Sequence, residues 1–317
     1  MRRFEEKRND KGAIAIMTSD LAAIGSIDDV EAYLAASESV FPDIRPGLAK
    51  QVVWADPAAK RQTSLAIVYI HGFSASKGEV RPLPDLVANA LGANLFYTRL
   101  AGHGRSGNVM AEASVTNWQE DMREALDIAA LLGERTLIIA TSTGATLATW
   151  ALSQPEWAER VDGAVLLSPN FRIRGRGAFL LTAPLARLSA RLILGRRRSF
   201  APLNALHAAY WTTDYPVCAL LPMASLVAQA RALPFDAIRT PTLIIQSPED
   251  QVVDARQTSA VAARWGGPAT ILDPGDIGDP YGHVIAGDAL SPQTTDRLAK
   301  IIIDWFNKAN QYSDIKT

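Results

Sequence analysis

The stretch LIIATSTGATLATW, residues 137–150, decides the fold. A run of apolar, partly β-branched residues ends at Ala140-Thr141-Ser142-Thr143-Gly144, and small helix-compatible residues follow without a loop. A chain that leaves a buried strand and enters a helix this abruptly strains the residue at the turn. It also needs small residues two before and two after it, because strand and helix nearly touch. Ala140 and Gly144 meet that demand around Ser142, giving A-x-S-x-G where the usual nucleophile elbow reads G-x-S-x-G. The consequence is exposure of a hydroxyl at a sheet edge, with the Thr143 N–H at a helix start beside it.

Outward from this point, apolar runs of strand length lie at 64–70, 94–100, 136–140, 163–167, 242–246 and 269–272, and 51–55 reads as an antiparallel edge strand. Helical spacing occupies 82–91, 115–132, 145–152, 258–265 and 294–310, with a further helix at 28–37. Buried strands alternating with helices predict an α/β fold whose mostly parallel sheet is covered on both faces. Residues 171–238 interrupt the alternation with five prolines and no convincing strand, and are expected to form a helical cap over the carboxyl ends of the strands. The expected organisation is an N-terminal extension over 1–50 with a short helix, a core of 51–170 and 239–317, and the cap between its halves.

Composition bounds the rest. A chain of 317 residues with 48% hydrophobic content and a net charge of −1 is ample for a buried core and has no charge excess for nucleic acid. The single cysteine, Cys218, excludes an internal disulfide, and its apolar setting VCALL reads as core. The apolar piece at 13–17 is too short for a signal-peptide core, so the expectation is a cytoplasmic protein. Residues 171–200 carry eight arginines and no acid, with Leu181, Leu185, Leu188 and Leu192 near helical spacing around Arg187 and Arg191. Such a segment either touches an anionic membrane surface weakly or turns its leucines onto the cleft, and the second is expected. Both suit an acyl substrate.

Chemistry is read from three further pieces. His71-Gly72-Phe73 ends the strand at 64–70, and its glycine allows a turn that aims the Phe73 N–H at the same point as the Thr143 N–H, as a tetrahedral oxyanion requires. Asp250, in SPEDQVV, and His283, in GHV, each follow a different strand. Ser142, Asp250 and His283 thus come in the order nucleophile, acid, base at three strand ends. Glu249, Asp273, Asp276 and Asp279 are rival carboxylates for the acid.

The residues 102–107, GHGRSG, match a dinucleotide fingerprint, but NVMAEAS follows rather than a helix. His103 and Arg105 are read as ordering a loop, and His207 as a packed cap residue. Dispersed histidines leave no metal-ligand spacing, so neither metal nor organic cofactor is expected.

Together HGF at 71–73, RLAGHG at 99–104, WQEDM at 118–122, STG at 142–144, SPEDQVV at 247–253 and GHV at 282–284 resemble the α/β-hydrolase family, in its carboxylesterase, monoacylglycerol-lipase and lysophospholipase branch. The resemblance runs from about residue 51 to 310, and the cap is much less alike. It implies Ser142 as nucleophile, His283 as general base, Asp250 as orienting acid, and Phe73 and Thr143 as oxyanion donors. The implied reaction is hydrolysis of a small-molecule carboxylic ester with an apolar acyl chain. Amide, peptide or carbon–carbon cleavage by the same residues, and non-catalytic ligand binding, remain the alternatives.

Overall fold

Seven strands form the central sheet of the computed structural model, which describes residues 24–175 and 195–314. The strands β1 (Gln51–Val53), β2 (Ala66–Ile70), β3 (Asn94–Tyr97), β4 (Thr136–Thr141), β5 (Gly163–Leu167), β8 (Thr242–Ile245) and β9 (Ala269–Leu272) are arranged in the order β1-β3-β2-β4-β5-β8-β9. Only β1 runs antiparallel to its neighbour. Strands β2, β3, β4, β5 and β8 are buried along their whole length, as expected of a sheet covered on both faces.

Side-chain alternation divides these strands between two cores. Val68, Ile70, Ile138, Ala140 and Leu166 face a layer built by α1 (Val30–Ser39), α3 (Val115–Leu132) and α4 (Thr143–Leu152). Ile67, Tyr69, Ile139, Val165 and Leu167 face α2 (Leu83–Leu91) and the final helix, α9 (Pro292–Asp314). A short α5 (Pro155–Ala158) and α8 (Ala255–Ala262) complete the core helices. Helix α8 begins three residues before the position read from its spacing, because Asp254 caps it by accepting the Arg256 N–H at 3.2 Å.

The insertion between β5 and β8 departs from expectation in two respects. Beside α6 (Ala205–Tyr210) and α7 (Leu220–Ala230) it holds an antiparallel ribbon of β6 (Arg197–Ser199) and β7 (Asp214–Pro216). These strands are three residues long, polar and interrupted by proline, so no apolar alternation announced them. Cross-strand pairing of Arg197 with Asp214 at 2.5 Å helps hold them together. Cys218 is also not core. It is exposed, while Val217 and Ala219 on either side turn inward from the same helical turn. The leucine–arginine stretch from 176 to 194, with Leu181, Arg187 and Arg191, lies outside the described residues.

The insertion is bound to the loop that follows β2. The Thr212 N–H donates to the Ser74 carbonyl at 2.7 Å, and the Ser76 hydroxyl to the Tyr210 carbonyl at 2.8 Å. At Gly107 a Cβ would stand 1.7 Å from the Asp214 carbonyl oxygen, so only glycine lets β7 pass there. On the other side, the Glu38 carboxylate of α1 grips the Arg99 guanidinium at 2.6 and 2.9 Å. That guanidinium also donates to the His103 carbonyl at 3.1 Å, tying the N-terminal helix to the 99–104 loop.

Candidate active site

Ser142 is the only residue between β4 and α4, and its backbone lies at φ 52°, ψ −115°. This is the left-handed half of conformational space, costly for a residue with a Cβ and held only by surrounding structure. The holding contacts are specific. The Ser142 N–H donates to the Leu167 carbonyl at 2.9 Å, and its carbonyl accepts from Asn170 and Thr146 at 3.1 Å each. Gly144 is required by steric contact, since a Cβ there would lie 2.5 Å from the carbonyl oxygens of both Ile70 and His71. Ala140, at the other small position, is fully buried.

His283 arrives from the loop before α9. Its Nε2 lies 3.0 Å from the Ser142 Oγ and its Nδ1 lies 2.8 Å from the Asp250 Oδ2. Asp250 is fully buried in the loop after β8, and its Oδ1 accepts the N–H groups of Val252 and Val253 at 2.8 and 2.9 Å. Because this carboxylate only accepts, Nδ1 carries the ring proton and Nε2 presents a lone pair to the hydroxyl. Burial works against a charge on His283. The hydrogen bond and field of Asp250, with the fields of Glu79 and Asp279, outweigh it and hold the ring above its ordinary value of 6.5.

The rival carboxylates stand elsewhere. Glu249, Asp273 and Asp276 are exposed, and Asp273 accepts the Gly275 N–H. Asp279 is buried, but it serves the backbone and not the ring. Its Oδ2 accepts the N–H groups of His283 and Val284 at 3.0 and 2.8 Å, and its Oδ1 that of Tyr281 at 3.1 Å. The Ser168 hydroxyl donates to the His283 carbonyl at 2.7 Å, so the histidine is gripped from both sides.

Thr143 opens α4 and Phe73 follows the Gly72 turn. Gly72 sits directly against Ser142, a Cβ there falling 3.2 Å from the Ser142 Cβ. His71 organises this turn. It accepts the Leu100 N–H on Nε2 at 3.1 Å, so its Nδ1–H donates to the Gly72 carbonyl at 2.9 Å. Burial chiefly, with the fields of His103 and Arg99, keeps that imidazole neutral, far below its ordinary value. The Phe73 ring packs edge-on against Tyr215, His103 and Trp118 at centroid distances of 5.4, 5.7 and 6.4 Å.

His103 is itself buried, its Nδ1 bonded to the Ala101 carbonyl at 3.1 Å, and burial pushes the ring down to about 4. Arg105 pairs with Asp43 at 2.6 Å. Both order the loop, and no α-helix follows the glycines until Val115. His207 is packed between Phe200 and Trp211. Among the described residues no cluster of His, Cys, Asp or Glu could hold a metal ion, and no helix is long and apolar enough to cross a membrane. Sequence reasoning passed over Glu79, Tyr69 and Ser168, which surround the site, because a buried polar residue in a loop or strand carries no periodic signal.

A parallel sheet with a serine at the β4–α4 elbow and an insertion after β5 defines the α/β-hydrolase class. More narrowly, the chain belongs to the family described as serine aminopeptidase, S33, whose profile matches residues 61–271, and it is therefore a hydrolase. No curated protein matches the chain. Among solved structures, it is similar to that of LipS and LipT, two metagenome-derived lipolytic enzymes, at 20% identity and TM-score 0.66 over 84% of this chain and 99% of that one. It also resembles the Paleococcus ferrophilus monoacylglycerol lipase, at 14% identity and TM-score 0.59 over 83% and 99% of the two chains. A third likeness is to a soluble variant of Saccharomyces cerevisiae monoglyceride lipase with a substrate analogue, at 12% identity and TM-score 0.59 over 82% and 91%. These likenesses carry the fold.

Proposed function

We propose that the protein is a serine hydrolase that cleaves a small-molecule carboxylic ester with an apolar acyl chain, a monoacylglycerol or lysolipid being the class in view. The observation that carries this reading is the unbroken hydrogen-bond chain from Ser142 through His283 to Asp250. In this mechanism the Ser142 Oγ attacks the ester carbonyl while His283 Nε2 takes its proton. Asp250 keeps the ring in the accepting tautomer and stabilises the imidazolium. The N–H groups of Phe73 and Thr143 receive the developing oxyanion, each such donor being worth about 2.7–4 kcal/mol. Neither N–H is used by another acceptor among the described residues. The alcohol leaves with the proton from His283, and a water activated by the same ring clears the acyl-enzyme.

The apolar preference is supported by the surroundings of Phe73, where Met110, Tyr215, Ala219 and Leu220 form an apolar cluster. The lipolytic names of the structural neighbours point the same way. Amide cleavage is the second reading, favoured by the description of the family itself. A fluorophosphonate probe and a panel of p-nitrophenyl esters against aminoacyl amides test both. The expected result is one covalent adduct on Ser142 and faster turnover of the esters. An unlabelled Ser142 in folded protein would leave a ligand-binding module, and a preference for aminoacyl amides would make the enzyme a peptidase.

The pH dependence has a definite sign. The working form is neutral His283, so kcat/KM falls as pH drops through the ring's ionisation. Since that ionisation is held above 6.5, ester hydrolysis is expected to fade on the acid side of a midpoint above this value. A profile still flat well below it would contradict His283 as the base.

A further inference from the structure

Behind the Gly72 turn lies a second acid that the mechanism above does not use. Glu79 follows the turn by seven residues and is only 2% exposed. Its Oε2 accepts the Gly72 N–H at 2.7 Å and the Tyr69 hydroxyl at 2.9 Å. The Tyr69 oxygen lies 3.1 Å from the Thr141 Oγ1, so the chain of bonds runs on to the residue before the nucleophile. The other oxygen, Oε1, has no protein partner among the described residues and faces Gly72, where a Cβ would come within 2.7 Å of it. Gly72 is therefore wedged between this carboxyl and Ser142, and no larger residue leaves room for both.

We propose that Glu79 is a positioning residue of this active site, clamping the oxyanion loop through Gly72 and, as an anion, supporting the imidazolium that forms on His283. The proposal rests on the serine-hydrolase reading given above. The clamp acts through the two peptide units that flank Gly72. Holding the Gly72 N–H on a buried carboxylate while His71 holds the Gly72 carbonyl fixes both ends of the turn, and hence the direction of the Phe73 N–H that follows.

The electrostatic part follows from what surrounds the group. Tyr69 faces it from β2 and His283 from the loop before α9. Tyr210 of the insertion lies with its ring against Gly78, and Asp288, beyond the Gly287 contact with the Glu79 backbone, is exposed. Its cationic neighbours in sequence are engaged elsewhere, Lys77 with the Ala49 carbonyl and Gln51, and Arg81 with Asp85. Among the described residues no lysine or arginine pairs with it, and its field falls on His283. Burial pushes the carboxyl up to about 7, against the hydrogen bonds of Gly72 and Tyr69 and the field of His283. An anion on Glu79 thus favours a cation on His283, and the reverse.

Two variants separate the roles, each read by kcat and KM on a p-nitrophenyl ester across pH. Glu79→Gln keeps an acceptor for Gly72 and Tyr69 but removes the charge. It is expected to move the acid limb of kcat/KM to lower pH by about one pH unit, because the Glu79 charge is one of those that hold His283 up. Its plateau kcat should stay within about tenfold of wild type, the same field expressed as rate. Glu79→Ala also removes the clamp and is expected to lose about 100-fold in kcat with little change in KM, as a small misplacement of a reacting group does. An alanine variant with wild-type kcat, or a glutamine variant with an unmoved acid limb, overturns the proposal. If the alanine variant fails to fold by circular dichroism, the glutamine profile decides. Fluorophosphonate labelling keeps the two levels apart. A wild-type chain that takes no adduct on Ser142 sinks both readings, whereas a labelled wild type beside variants of unchanged profile sinks this one alone.

Discussion

Ser142→Ala is expected to lower ester turnover about 10⁶-fold, the scale at which loss of a nucleophile acting with its base is felt. The size follows from the geometry. Alanine removes the oxygen that His283 Nε2 faces at 3.0 Å, and with it the covalent route. What survives is the rate that oxyanion donors and binding alone provide. The fold should not change. The strained backbone at φ 52° is held by the Leu167 carbonyl and by the N–H groups of Asn170 and Thr146, none of which touches the hydroxyl. Alanine pays the same left-handed penalty as serine, and the lost hydrogen bond is worth only about 1 kcal/mol. Thermal melting should therefore stay close to wild type while p-nitrophenyl butyrate hydrolysis disappears. Retention of the wild-type rate would remove Ser142 from the mechanism altogether.

Asp250→Asn should be nearly as damaging, lowering kcat about 10⁴-fold, because it inverts a hydrogen-bonding pattern without emptying the space. Asp250 accepts on both oxygens. Oδ1 takes the Val252 and Val253 N–H groups, and Oδ2 takes the His283 Nδ1 proton. In asparagine the amide oxygen has to serve the two backbone donors, which are fixed, so the NH₂ faces the ring. Nδ1 then becomes the acceptor, and the proton moves to Nε2, where it blocks removal of the serine proton. The signature is a loss in kcat that high pH partly relieves, without loss of folding. Asp279→Asn is the matched control. That side chain binds the N–H groups of Tyr281, His283 and Val284, not the ring, so its replacement should affect stability more than tautomer. If the two variants behaved alike, the acid would have been assigned to the wrong carboxylate.

Much of this architecture is legible from local chemistry. Strands buried on both faces are near-continuous apolar runs, and β2, β4, β5 and β8 are written mostly that way, so their places could be read directly. The elbow was legible because its steric demands fall on residues only two apart. The ribbon of β6 and β7 was not, since three polar residues per strand carry no period and their pairing leans on Arg197 meeting Asp214 across seventeen positions of chain. Cys218 misled because an apolar neighbourhood in sequence does not say which residue of a tight turn faces inward.

The amino-acid sequence by itself determined the layered α/β class, the elbow at Ser142 and the chain order of serine, acid and histidine. These rest on short-range rules of alternation, small-residue packing and turn chemistry. Only the tertiary structure decided among five carboxylates. Asp250 meets the imidazole and Asp279 its backbone, although the two acids are 29 positions apart and Asp279 is the nearer to His283 in sequence. Only the packed sheet, too, brought Glu79 beneath Gly72. The reason is physical: hydrogen bonding between buried polar groups depends on distances that the folding of separate strands creates, and no local pattern encodes them.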